Sequence, residues 1–173
     1  GCYSVLGRGE QVLVRDLIPL DEYLPIADEF TPAADWAERL ADHAVASGAR
    51  YVVLTTRHHD GYCLWDTGTD EFNAALTGPR RDLVAEYVDA VRRRGLGVGL
   101  YYSLVNWRWH GFWDPARYPD DLPRMVEEVH TQIRELLSDY GKIDILWYDG
   151  RAVPGGHTPG DFGHETTPVE TTT

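Results

Sequence analysis

Ile143-Asp144-Ile145-Leu146-Trp147-Tyr148-Asp149-Gly150 is an apolar run that ends abruptly in two aromatics, a carboxylate and a glycine. It reads as a buried strand that delivers Asp149. A carboxylate just past a buried strand is costly to desolvate unless it is hydrogen-bonded or has chemistry to do, and a glycine after it lets the backbone turn sharply. Two earlier stretches end alike. Tyr51-Val52-Val53-Leu54-Thr55-Thr56 runs into Arg57-His58-His59-Asp60-Gly61, and Val98-Gly99-Leu100-Tyr101-Tyr102-Ser103 runs into Asn106-Trp107. All of these strands discharge polar and aromatic groups from one end.

Each strand follows a helical segment and a glycine. Thr31-Pro32 reads as a helix start, and Trp36, Leu40, Ala44 and Val45, with Ala37 and Ala41 beside them, keep helical spacing up to Gly48. Asp82 can cap a second helix whose Val84, Tyr87, Val88 and Val91 share an apolar face before Gly95. After Asp121 and Pro123, Val126, Val129, Ile133, Leu136 and Leu137 mark a third, stopped by Gly141. Strands that are apolar along most of their length and alternate with helices mean an α/β fold, a parallel sheet covered by helices. An open doubly wound sheet and a (β/α)8 barrel both satisfy that pattern, but no GxGxxG or GxxxxGK[ST] turn follows any strand, which favours the barrel. A TIM-like barrel needs about 250 residues. The helix–strand units over residues 31–150 therefore predict a partial (β/α)8 barrel, within a single partial catalytic domain spanning 1–173. Residues 1–30, rich in Gly and Pro, read as an irregular segment with a short helix near Asp21 to Phe30, and 151–173 as a loop and Thr-rich tail.

The bulk composition narrows the partners. The 173 residues are 43% hydrophobic, which suits a soluble globular chain, and no apolar run approaches the length of a membrane span, roughly 20 residues. With 16 basic against 28 acidic residues the net charge is -12, a field that opposes nucleic acid and polyphosphates and leaves neutral ligands. Cys2 and Cys63 are far apart with no metal-finger spacing, so buried free thiols are expected. The chain does not begin with Met, and the compartment stays open.

In a parallel barrel the reactive groups sit at the C-terminal ends of the strands, where His58, His59, Tyr101, Trp147 and Asp149 all fall. Aromatic faces stack on the apolar face of a sugar, His and Asp bond its hydroxyls, and an ionised Asp can attack an anomeric carbon. Bland readings compete at each position. A lone Asp after a strand is more often a turn former or cap, and Tyr101 and Trp147 taken singly are ordinary core aromatics. Adjacent histidines on a strand point to opposite faces and show no HxH or HxxxH spacing, so bonding to a ligand outranks metal ligation, with ordinary packed histidines as the equal alternative. Asp60 is expected to fix its loop. Trp107, Trp109 and Trp113 offer a sugar platform, a subunit contact or simple loop packing.

The order YVVLTTRHHDGYCLW at Tyr51 to Trp65, then Thr77-Gly78-Pro79-Arg80-Arg81-Asp82-Leu83, Gly99 to Ser103 and Leu146 to Gly150 resembles the glycoside hydrolase family 29 α-L-fucosidases. The resemblance implies a retaining exo-hydrolase of terminal α-linked L-fucose. By position it makes Asp149 the nucleophile, His58 and His59 the pair that bonds fucose hydroxyls, and Tyr101 and Trp147 wall and ligand contacts. Glu10 matches a family Glu that also touches the sugar, although Gln11 stands where the family usually has Trp. Arg151 resembles a substrate-binding Arg, yet in relatives a strand and helix separate that Arg from the nucleophile. Glu165 is the nearest candidate acid/base, about one position out of register, with a solvated tail carboxylate as the alternative. The resemblance also implies a further strand, bearing another sugar-binding His, before Gly1.

Such a mechanism needs no metal or organic cofactor, because two carboxyls supply acid, base and nucleophile. The expected partner is a fucosylated glycan or glycoside. A partial barrel leaves strand edges unpaired, which makes a homo-oligomer a further expectation. The rival is a non-catalytic sugar-binding protein on an eroded barrel, keeping the histidines and Trp147 but lacking an acid.

Overall fold

The computed structural model describes residues 1–150; Arg151, Glu165 and the expected loop and tail lie outside the described residues. Strands β1 (Tyr51–Arg57), β2 (Gly97–Ser103) and β3 (Ile145–Asp149) form one parallel sheet in that order. The mixed α/β architecture with parallel strands is as expected. A barrel is not what these residues display: among them, β1 and β3 each pair on one side only.

Helices α3 (Trp36–Ala46), α4 (Leu83–Arg93) and α6 (Asp121–Ser138) precede β1, β2 and β3 in turn, with a single-turn helix α5 (His110–Trp113) between β2 and α6. They stop where the sequence places glycines, Gly48, Gly95 and Gly141, whose φ values of 75°, 70° and 69° are left-handed. Asp82 does cap α4, accepting from the Ala85 N–H at 2.8 Å. The hydroxyl of Tyr87, on the buried face of α4, lies 2.6 Å from the Val52 carbonyl and 2.9 Å from that of Gly99. One phenol thereby ties the helix to both β1 and β2.

Several details depart from the sequence reading. Helix α3 begins at Trp36, not at Thr31-Pro32, because the preceding residues form an irregular turn. Its buried residues are Ala37 and Ala41, whereas Val45 faces solvent. The short helix expected near Asp21 to Phe30 is present, as a single-turn helix α2 (Leu20–Tyr23) running into a 3-10 turn at Leu24–Glu29, but the segment before it also holds a 3-10 turn at Cys2–Leu6 and a single-turn helix α1 (Val12–Arg15). The α6 face is rotated. It buries Met125, Glu128, Val129, Gln132 and Leu136, leaving Val126 and Leu137 exposed, because two polar side chains of the helix are needed inside.

What needs them is Arg57, the last residue of β1 and wholly buried. Its guanidinium donates to the Tyr102 hydroxyl at 2.5 Å, to Gln132 Oε1 at 2.6 Å and to the Val105 carbonyl at 3.1 Å. Glu128 Oε1 lies 3.0 Å away and supplies the counter-charge. A buried cation is tolerable only with such pairing. Cys2 and Cys63 are buried free thiols.

Candidate functional site

Strand register brings the site together. Tyr101 pairs with Trp147, and two residues on Ser103 pairs with Asp149, so the four lie on one sheet face, opposite Tyr102 and Tyr148. β1 contributes differently. Its register slips between Thr55 and Arg57, with Thr55 opposite Tyr101 and Arg57 opposite Tyr102, so Thr56 is the extra residue of a bulge. The strand ends at Arg57, and the two histidines lie beyond it in irregular backbone. They do not diverge as strand alternation would demand. Their ring centroids are 4.3 Å apart, and His58 stacks on Tyr101 at 5.9 Å with an interplanar angle of 8°.

Asp149 lies beside this pair. Its Oδ2 accepts from the Tyr101 hydroxyl at 2.5 Å and sits 3.6 Å from His59 Nε2; its Oδ1 takes the Gly150 N–H at 2.6 Å. Gly150 has φ +77°, and a Cβ there would lie 3.3 Å from His59 Cε1, so the position asks for glycine twice over. On its other side, His59 Nδ1 is 2.5 Å from Ser103 Oγ, which itself donates to the Val105 carbonyl at 2.8 Å. With its proton committed to Val105, Ser103 accepts, so Nδ1 of His59 carries the hydrogen and Nε2 presents a lone pair toward Asp149.

The charges follow from this packing. Burial, then the neighbouring His58, lowers His59 to about 4; burial also lowers His58, against the charges of Asp60, Glu10 and Asp149. Burial pushes Asp149 up, but the Tyr101 hydroxyl, the Gly150 N–H and the imidazoles outweigh it and hold the carboxyl below its ordinary value. At neutral pH the mouth therefore holds two neutral imidazoles and a carboxylate whose side chain is 47% exposed. The His59 Nε2 lone pair and the Asp149 carboxylate are adjacent acceptors, suited to hydroxyl groups.

Trp147 stands at the strand edge, 60% exposed, with an open aromatic face. Glu10 is exposed on the turn before α1, and its charge is felt by Tyr3, His58 and Tyr101. Trp107 is loop packing rather than a platform: it is buried, with its ring 4.9 Å from that of His59, and its backbone N–H donates to the His59 carbonyl at 2.7 Å. Asp60 fixes the loop as expected, accepting from the Tyr62 N–H at 3.2 Å and the Tyr23 hydroxyl at 2.8 Å. The sequence reading missed Ser103 and Arg57. The signal for Arg57 was a Glu128–Gln132 pair at helical spacing on the stripe of α6 that also carries Met125, Val129 and Leu136.

Comparison with known proteins agrees with the geometry. The Alpha-L-fucosidase family model matches residues 15–162. Human tissue alpha-L-fucosidase is 34% identical over 144 residues, which cover 81% of this chain and 30% of that protein. Alpha-L-fucosidase isoenzyme 1 from Paenibacillus thiaminolyticus superposes with a TM-score of 0.79 at 38% identity, over 87% of this chain and 39% of that one. A GH29 alpha-L-fucosidase from Bacteroides thetaiotaomicron, solved as a trapped covalent intermediate with 2-fluoro-fucosyl fluoride, gives a TM-score of 0.79 at 28% identity, over 87% of this chain and 37% of that one. The chain thus spans about a third of the length of these relatives. By sequence and by backbone this chain belongs to the alpha-L-fucosidase family.

Proposed function

We propose that the chain carries the nucleophile and the sugar-binding mouth of a retaining α-L-fucosidase. Asp149 attacks the anomeric carbon of a terminal α-L-fucoside while the glycosidic C–O bond breaks and the leaving oxygen takes a proton from a second carboxylic acid. Water then attacks the same carbon, giving its proton to that acid's conjugate base and releasing fucose and Asp149. Tyr101 keeps Asp149 ionised for the first step. His58 and the lone pair of His59 accept from sugar hydroxyls, Glu10 adds a further contact, and Trp147 forms a wall against the apolar ring face. Arg151 as a substrate contact and Glu165 as the acid/base belong to the same reading but lie outside the described residues.

The single observation that carries it is the 3.6 Å approach of two acceptors, His59 Nε2 and Asp149 Oδ2, which a hydroxylated ligand can bridge. A partial (β/α)8 barrel fits as well: beside the open edge of β3, Leu104, Ile133, Leu137 and Tyr148 line a groove of about 630 Å3 where a further strand and helix would pack. Incubation with 2-fluoro-fucosyl fluoride should add one fluorofucosyl group to the intact chain, seen by mass spectrometry, and Asp149→Ala should abolish it. Fucose binding with neither labelling nor release from an aryl α-L-fucoside would favour the non-catalytic rival; labelling that survives Asp149→Ala would remove Asp149 from its role.

A further inference from the structure

The same mouth has the makings of a metal site. Ligand atoms of His58, His59 and Asp149 all lie within 4.8 Å of one another. A tetrahedral ion about 2.1 Å from each donor separates those donors by about 3.4 Å. The His59 Nε2 to Asp149 Oδ2 distance of 3.6 Å already meets that spacing, and the Asp149 side chain is half-exposed.

Two of the three groups also have outer partners. Metal-binding imidazoles commonly donate their other N–H to a fixed acceptor, which orients the ring and raises its basicity, and ligating carboxylates are hydrogen-bonded in turn. Here Ser103 takes the His59 Nδ1 hydrogen and Tyr101 bonds the Asp149 oxygen. His58 Nδ1 is buried without a hydrogen-bond partner among the described residues. The carboxylates of Asp60, Glu10 and Asp149 all act on His58.

We propose that His58, His59 and Asp149 bind one divalent ion of the zinc class, such as Zn2+ or Co2+, and that this ion excludes the sugar by occupying its acceptors. Two imidazoles and one carboxylate suit zinc-class ions rather than Mg2+ or Ca2+, which prefer oxygen ligands. The ion acts here as an inhibitor and not as a cofactor. The ion site rests on geometry alone; only the competition rests on the sugar-binding reading above.

Titration of the purified chain with Co2+ at neutral pH should saturate at one equivalent with the intense visible bands of a low-coordinate cobalt ion, which Zn2+ then bleaches. His59→Ala and the isosteric Asp149→Asn should abolish the bands while far-ultraviolet circular dichroism is kept, and Ser103→Ala should weaken binding by about tenfold or more. Absence of the bands, or bands untouched by both site variants, overturns the ion site. In parallel, Zn2+ should slow labelling by 2-fluoro-fucosyl fluoride. Labelling indifferent to Zn2+ sinks the competition and leaves the hydrolase standing; cobalt binding with no labelling does the reverse.

Discussion

Arg57→Met tests whether the buried guanidinium holds the loop behind the histidines. Removing one member of a buried ion pair costs about 3–5 kcal/mol, mostly because the partner stays charged and unpaired. Here Glu128 keeps two donors, Asn106 Nδ2 and Trp109 Nε1, each at 3.1 Å, so the loss belongs at the lower end, about 3 kcal/mol. Methionine fills most of the space, which keeps the cavity contribution small. Urea unfolding followed by tryptophan fluorescence should show the midpoint falling by about 1–2 M at unchanged m-value. Replacing Glu128 by Leu in the same chain should cost less than the sum of the two single changes, by at least about 1 kcal/mol, since the orphaned charge is gone. A loss below about 1 kcal/mol for Arg57→Met, or strict additivity in the double variant, would refute the assignment of the pair as the anchor.

Tyr101→Phe deletes a charge-assisted bond that holds the Asp149 carboxyl down, so that carboxyl should titrate at higher pH in carbon-13 NMR than in the parent chain, and an unmoved titration would refute the contact. For His59 the folded value of about 4 lies below the ordinary 6.5, so the unfolded chain binds the extra proton between them. Its contribution to stability is full above 6.5 and is lost as pH falls toward 4, and the imidazole should remain neutral by NMR through the neutral range. Asp82→Ala removes both the α4 cap and the acceptor of the Tyr140 hydroxyl at 2.6 Å; it should cost about 1–2 kcal/mol in urea unfolding, with Tyr140→Phe costing less.

The sheet was legible because its strands are apolar on both faces and each helix ends at a glycine, two signals set by local chemistry. The site was legible for a related reason: polar residues at the ends of separate strands meet wherever those strands run parallel. Helix faces were read less well. Hydrophobic spacing assigns Val126 and Leu137 to the core of α6, but the helix turns instead to bring Glu128 and Gln132 to Arg57. A buried charge outranks two aliphatic side chains, since leaving it unpaired costs more than exposing them. Ser103 escaped notice because its part lies in fixing a tautomer, which spacing alone does not encode.

The histidine pair shows most directly how backbone irregularity makes chemistry. On a regular strand His58 and His59 would face opposite sides of the sheet and only one could meet Asp149. The extra residue Thr56, its hydroxyl donating to the Tyr101 carbonyl at 2.8 Å, breaks the alternation just before the strand ends. Arg57 then turns into the interior and binds the Val105 carbonyl, the same oxygen that takes the proton of Ser103. One carbonyl thus links the buried cation, through Ser103, to the hydrogen on His59 Nδ1 and so to the lone pair that Nε2 presents to Asp149. The bulge, the buried arginine and the tautomer form one arrangement, in which a defect in the strand lets two neighbouring imidazoles share one carboxylate.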